Sequence, residues 1–339
     1  HPTPTENSLI VPLFPSRRRG FRSLMALGAV LARAMRNNRG RVLVIDDWYA
    51  FLSLYYPLLR LFRVFGRRTV LVYSPVTSSW FWFTDNSLAT LMRCSDFSIW
   101  RLRKVPLELF SYMCADVIAV QSEGLKVRYQ RAYPRKNIIV VPNAVPPPKE
   151  KILDKPLVPI RAPRLLYAGN LSYNKGVDFL LRFAKEDANG EYAVTVVGEG
   201  QRKAGRDILR QLRASKIDIV GRQSREDMEH LYASSDILVL PSRHEGMPRI
   251  VCEFLRYNKP VVATDLPGLS DINTPLLLRF DKNDYNGFRR QVGAATKLFP
   301  IAESFVQANR AALVNFTPEA TAARKVQQLD QLILSRLNR

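Results

Sequence analysis

Short apolar runs alternate with stretches of helical periodicity along most of the chain. Runs rich in Val, Ile and Leu at Ser8–Phe14, Val42–Ile45, Thr69–Tyr73, Val117–Val120 and Ile138–Val141 predict strands. After the first of them, Phe21, Leu24, Met25, Gly28, Leu31, Ala32 and Met35 recur at i, i+3, i+4 and i+7, which predicts one helix face over Phe21–Arg36. A second series of strands is predicted at Arg164–Tyr167, Ala193–Val197, Ile217–Val220, Ile237–Leu240 and Pro260–Ala263. Strand and helix in alternation are the grammar of parallel sheets built from βαβ units, so the fold class is α/β.

The two series are parted by "PNAVPPPKEKILDKPLVPIRAP", residues 142–163, where proline is dense and neither period persists. A chain of 339 residues also exceeds what one core usually fills. The expected layout is a Rossmann-like domain at 1–143, a linker at 144–163, a second Rossmann-like domain at 164–316, and a helix at 317–339 returning to the first. Two such domains would face each other across a cleft, with ligands at the carboxyl ends of the strands.

Composition narrows the partners rather than the fold. With 47% hydrophobic and 24% charged residues the chain is an ordinary globular one. Its net charge of +21 points to an anionic partner: nucleic acid, an acidic membrane surface or a phosphorylated substrate. Residues 1–143 hold 21 basic against 8 acidic side chains, so most of the excess, +13, lies there. Cys94, Cys114 and Cys252 are few, odd in number and without C-x-x-C spacing, which argues against a disulfide framework or a zinc site and for a reducing, cytoplasmic setting. The most apolar stretch, Trp48–Leu59, is too short to span a bilayer, and no signal peptide is expected at the start.

Four pieces of the second half fall at strand ends. In "YAGNLSYNKG", Tyr167–Gly176, a strand gives way to a polar loop and then a helix near Gly176, which would set Lys175 at a positive helix terminus suited to a diphosphate. In "VVGEGQ", Gly198 and Gly200 would let backbone approach a ligand, although a lone Gly-x-Gly is more often a turn. After the strand at Ile217–Val220, Gly221, Arg222 and Gln223 would face the cleft, while Met228, Leu231 and Tyr232 of the next helix point inward. In "SRHEGMPRIVCEF", Ser242–Phe254, Glu245 lies on a loop, Pro248 suits the first helical position, and Glu253 falls on the second helical turn. The Gly246 and Met247 amides would stand between the two carboxylates, a spacing that fits a diphosphate flanked by two polyols. Taken singly, Lys175 reads as a solvated loop charge and the glutamate spacing as chance; the four together are more specific.

The stretch "EGMPRIVCEFLRYNKPVVATDLPGLSDI" resembles the C-terminal signature of the retaining family-4 glycosyltransferases of the GT-B fold. "ADVIAVQSEGLK" (Ala115–Lys126) and "VVPNAV" (Val140–Val145) look like the last N-domain strand-helix and the crossover of the same family. The resemblance implies that Glu245 contacts donor-sugar hydroxyls, that Glu253 holds the ribose, that Lys175 binds the pyrophosphate and that Gly20 lies in the glycine loop after the first strand. The arginine usual five residues before the lysine is Asn170, a missing cation that Arg243, Arg249 or Arg222 would have to supply. The histidine usual after the third strand is Ser74; the three histidines present, His1, His230 and His244, are poor substitutes. With no Asp-x-Asp, the resemblance implies metal-independent transfer without a bound cofactor, the leaving diphosphate being neutralised by Lys175 and a helix N-terminus.

The basic first half adds Arg18 and Arg19 in "SRRRGF" and Trp80 and Trp82 in "WFWF", expected acceptor contacts along with Ser74. Its helices, apolar on one face and arginine-rich at their ends, fit either packing on the sheet or docking on an anionic membrane. The leading expectation is a retaining hexosyltransferase taking a nucleotide sugar to a lipid-linked or other amphiphilic acceptor at the cytoplasmic membrane face. The alternatives are a GT-B-fold epimerase or phosphorylase, or a basic nucleic-acid-binding protein. The last lacks a recognisable binding module.

Overall fold

The computed structural model describes residues 8–12, 42–47, 69–75, 99–147, 162–187, 189–200, 203–215 and 217–337. It falls into two compact units, the second running from Asn143 to Pro318 and the first holding the described residues before it and those from Glu319 onward. The expected helix at Phe21–Arg36, and Gly20, Arg18, Arg19, Trp80, Trp82 and Cys94, lie outside the described residues.

In the first unit, β1 (Ser8–Pro12), β2 (Val42–Asp47), β3 (Thr69–Tyr73), β4 (Val117–Val120) and β5 (Asn137–Val140) form one parallel sheet whose spatial order repeats the order in sequence. Helix α1 (Ile99–Cys114) precedes β4, and α2 (Glu123–Ala132) follows it. The latter begins at Ser122, whose side chain accepts from the Leu125 amide at 3.2 Å and so satisfies one of the donors a helix start leaves bare. One core layer gathers Tyr73, Tyr112, Ile118, Val120 and Tyr129, with the Tyr112 and Tyr129 hydroxyls 3.1 Å apart. The last helix, α9 (Pro318–Leu337), covers the other face with Leu329, and the Gln328 amide group bonds both the N–H and C=O of Val140 at 3.0 and 2.9 Å. That side chain takes up hydrogen bonds that edge strand β5 would otherwise leave open.

The second unit is built on β6 (Arg164–Ala168), β7 (Ala193–Val197), β8 (Ile217–Gly221), β9 (Ile237–Leu240), β10 (Val261–Thr264) and β11 (Leu277–Phe280). Its order is β11-β10-β9-β6-β7-β8, all parallel. The crossovers carry α3 (Val177–Glu186), α4 (Lys203–Arg213), α5 (Arg225–Ser234), α6 (Arg249–Leu255) and α7 (Tyr285–Thr296), with α8 (Glu303–Leu313) after the sheet. Strands β9 and β10 are buried at every position, and alternate residues go to opposite layers. Leu166, Leu238, Leu240, Val261 and Ala263 pack on one face; Leu165, Tyr167, Ile237, Val239 and Val262 pack on the other. This explains why these strands read as continuous apolar runs, and each fully buried Leu or Val contributes about 2 kcal/mol.

Two expectations need correction. Strand β11 was not expected: "LLRF" is short and only half buried, so its apolar signal is weak. Pro248 is the N-cap of α6, in extended backbone, not its first helical residue. The start of the proline-dense stretch is also packed: Val145 is fully buried in the second core and its N–H donates to Phe316 O at 2.9 Å. Among the described residues no helix is long and apolar enough to cross a membrane, and no group of His, Cys, Asp and Glu could hold a metal ion.

Candidate active site

The order of the second sheet reverses between β6 and β9: from there the chain winds outward to β8 on one side and to β11 on the other. Loops leaving neighbouring strands at such a point diverge and open a crevice at the carboxyl ends, the usual ligand position in doubly wound sheets. The two loops here are the one after β6, which carries Lys175, and the one after β9, which carries Glu245.

The first loop runs through Leu171, buried in the core, to a single 3-10 turn at Tyr173–Lys175. It ends at Gly176, whose φ of +72° is left-handed and which caps both the turn and α3. No other residue fits: a Cβ at Gly176 would stand 1.9 Å from the Pro241 carbonyl oxygen. The turn therefore rests directly on the start of the second loop. Lys175 Nζ reaches across to Glu245 Oε1 at 2.5 Å, with both side chains mostly shielded from solvent (26% and 12% exposed).

Arg243 binds the same two loops from below. It is 3% exposed and forks onto Asp178, Nη1 and Nη2 donating to the two carboxylate oxygens at 2.7 and 2.8 Å. Nη1 also donates to Tyr173 O, Nε to Asn283 Oδ1 at 2.7 Å, and the guanidinium lies 3.8 Å over the Tyr173 ring. These bonds commit the Arg243 guanidinium to Asp178, Tyr173 and Asn283. The four charges near the switch point balance, Lys175 and Arg243 against Glu245 and Asp178. Beneath them the Tyr167 hydroxyl, buried and donating to Asn170 O at 3.1 Å, is held well above the usual phenol range by burial and then by Glu245 and Asp178.

Beyond Glu245, Gly246 and Met247 are buried. Met247 O accepts from Asn143 Nδ2 at 2.9 Å, and its side chain belongs to the core. Gly246 meets Gly268 so closely that a Cβ there would fall 1.5 Å from the Gly246 oxygen. Glu253 follows on the second turn of α6, 29% exposed, its Oε2 accepting from the Tyr232 hydroxyl at 2.9 Å and its Oε1 3.6 Å from Arg249 Nη2. Burial first, then Glu253, raises the Tyr232 phenol above its usual range, so it remains a donor to that carboxylate.

The remaining expected residues are placed less tightly. Asn170 is exposed and offers no cation. Gly198 (φ +148°) and Gly200 are required by backbone packing, since added Cβ atoms would stand 1.9 Å from Gly169 O and 2.2 Å from Gly205 O. Arg222 is exposed at the end of edge strand β8, two strands, or about 10 Å, from β6. Ser74 is half-buried just after β3, where Gln121 Nε2 donates to Pro75 O at 2.8 Å. Sequence reasoning missed Asp178, Tyr232 and Asn143 as supports of the site. Asp178, three residues beyond Lys175 in the first turn of α3, was the one legible signal among them.

Residues 162–293, which contain this whole constellation from Tyr167 to Glu253, match the family described as Glycosyl transferases group 1. Over these residues the second unit is similar to the group 1 glycosyl transferases. The amylovoran biosynthesis glycosyltransferase AmsD of Erwinia amylovora is 27% identical over 165 residues, 47% of this chain and 46% of that protein. The lipopolysaccharide 1,2-N-acetylglucosaminetransferase of Salmonella typhimurium is 26% identical over 173 residues, 45% of each. These matches span about half the length of either relative. The sucrose-phosphate synthase of Thermosynechococcus elongatus resembles 95% of the chain in structure and is covered to 82%, with a TM-score of 0.68 and 17% identity. That likeness identifies the fold as GT-B. Within the matched residues, the Lys175–Glu245 pair stands at the reversal of strand order, and Glu253 one helical turn into the element that follows.

Proposed function

We propose that the protein is a retaining, metal-independent glycosyltransferase that moves a hexose from a nucleotide diphosphate sugar to a lipid-linked or other amphiphilic glycan acceptor. The observation that carries this reading is the Lys175–Glu245 pair at the switch point of a group 1 glycosyl transferase domain. Glu245 accepts hydrogen bonds from hydroxyls of the donor sugar, and Glu253, held by Tyr232, accepts from the ribose. Lys175 turns its charge from Glu245 to the diphosphate between them. Because α6 has only seven residues and a proline cap, Lys175 carries most of that neutralisation.

In the reaction the bond from the anomeric carbon to the leaving phosphate oxygen breaks, and a bond to the acceptor oxygen forms on the same face. The acceptor proton passes to the leaving phosphate. Charge develops on the diphosphate, where Lys175 opposes it. The relatives' names, amylovoran biosynthesis and lipopolysaccharide, support an amphiphilic glycan acceptor. The +13 charge of residues 1–143, with Phe110 and Met113 exposed on α1, supports docking on an anionic membrane face.

The deciding measurement is thermal unfolding of the protein against a panel of UDP-, GDP- and ADP-sugars. A donor at 100 times its Kd adds about 2.7 kcal/mol and raises Tm visibly. No shift with any member of the panel overturns the reading. Flotation with anionic but not neutral liposomes is expected, and equal recovery with both removes the electrostatic docking.

A further inference from the structure

Arg243 stands two residues before Glu245, and all but one of its polar contacts fall on a single six-residue segment, Tyr173–Asp178, with Lys175 inside it. Its backbone N–H donates to Asn174 O at 2.8 Å, its Nη1 to Tyr173 O, and its fork to Asp178; Asn283 takes the Nε. The Tyr173–Lys175 turn itself is closed by two bonds, Lys175 N–H to Ser172 O and Gly176 N–H to Tyr173 O, each 3.0 Å. A 3-10 turn so short has little stability of its own and is held from outside.

We propose that Arg243 is a positioning residue for the donor site, fixing the turn that carries Lys175 in register with the loop that carries Glu245. The planar fork is what suits arginine to this: it grips both oxygens of Asp178 in one plane while the guanidinium stacks on Tyr173, a combination lysine cannot reproduce. The lysine and the glutamate thus meet a ligand from backbone already held in register, and less freedom is lost on binding. The identity of that ligand rests on the glycosyl transfer reading; the clamp rests on geometry alone.

The test uses the full chain and the variants Arg243→Gln, Arg243→Lys and Asp178→Asn, the last two keeping a cation at 243 should Arg243→Gln fail to fold. Amide hydrogen exchange is followed for the peptide containing Lys175 and Gly176. At least roughly tenfold faster exchange there is expected in Arg243→Gln and Asp178→Asn, with peptides from β10 and α8 unchanged. Unchanged exchange at Lys175 and Gly176, or equal acceleration throughout the unit, overturns the proposal. Donor affinity, measured with UDP-, GDP- and ADP-glucose, supplies a readout that a merely structural role does not move in the same way. Arg243→Gln should weaken binding roughly tenfold in the native background and less than about twofold when Lys175→Ala is already present. Equal losses in both backgrounds would show that Arg243 does not act through Lys175. If none of these sugars binds the unaltered protein, the functional reading fails, and the exchange experiment still decides the clamp.

Discussion

The two sheets are made of the same kind of element and differ in how it is wound. In the first, β1 to β5 lie side by side in chain order among the described residues; in the second the order turns back between β6 and β9. Both are parallel, and both contain strands buried at every position, β4 in the first and β9 and β10 in the second, so strand burial does not distinguish them. Winding does: only where neighbouring strands send their loops apart does a crevice open without any loss of core. In the second sheet the loops at that place carry Lys175 and Glu245, and a buried arginine ties them together. Chemistry is thus placed by topology, and side chains then tune it.

The contrast can be broken most sharply at the charged pair. Lys175→Ala should lower kcat by roughly 100- to 1000-fold, the loss typical of one preorganised group facing developing charge. An undiminished kcat in a nucleotide-sugar transfer assay would remove the lysine from the site. Glu245→Ala should cost roughly 10- to 100-fold in turnover, as for one or two hydrogen bonds to a charged group, and steady-state kinetics with the donor varied measures it. Glu253 is more exposed and held by one hydroxyl, so Tyr232→Phe, which leaves Glu253 less well oriented, should raise donor Kd only about three- to tenfold by calorimetry. At the carboxyl end of the first sheet, Gln121→Ala removes one bond to Pro75 O; it should cost about 1 kcal/mol in chemical denaturation and leave donor Kd unchanged. A donor effect there as large as that at Glu245 would erase the distinction between the sheets.

The smallest difference concerns alkaline pH, where the sheets should behave alike. Burial holds Tyr167 and Tyr232 of the second unit above the phenol value of 10.0, and in the first unit burial and then Glu108 push Tyr133 up to about 12. A group whose folded pKa is raised contributes its full stability below the unfolded value and loses it as pH climbs toward the folded one. Denaturant midpoints should therefore fall above pH 10 in both units, and a flat profile to pH 12 would show these phenols to be less shielded than the packing implies.

Much of this was legible in the chain. Ten strands could be read from apolar runs because parallel strands covered on both faces have no polar side to interrupt them. The Lys-Gly and Glu-Gly-Met-Pro pieces named two loops that meet at the reversal of strand order, because only a few residue types suit a left-handed cap or a helix start. Arg243, one of three candidate cations in the sequence, lies buried on Asp178, Tyr173 and Asn283. A cation in a polar loop looks the same in sequence whether it faces solvent or lies buried on a carboxylate 65 residues away.

The sequence by itself determined the α/β class, the positions of ten strands and the loops that hold charge, since periodicity, turn chemistry and residue type act over a few residues. Only the tertiary structure decided that β6 and β9 are neighbours, that Lys175 and Glu245 pair, and that Arg243 is buried on Asp178. Those contacts join segments 65 to 72 residues apart, and their existence depends on the order in which strands pack, which no local pattern encodes.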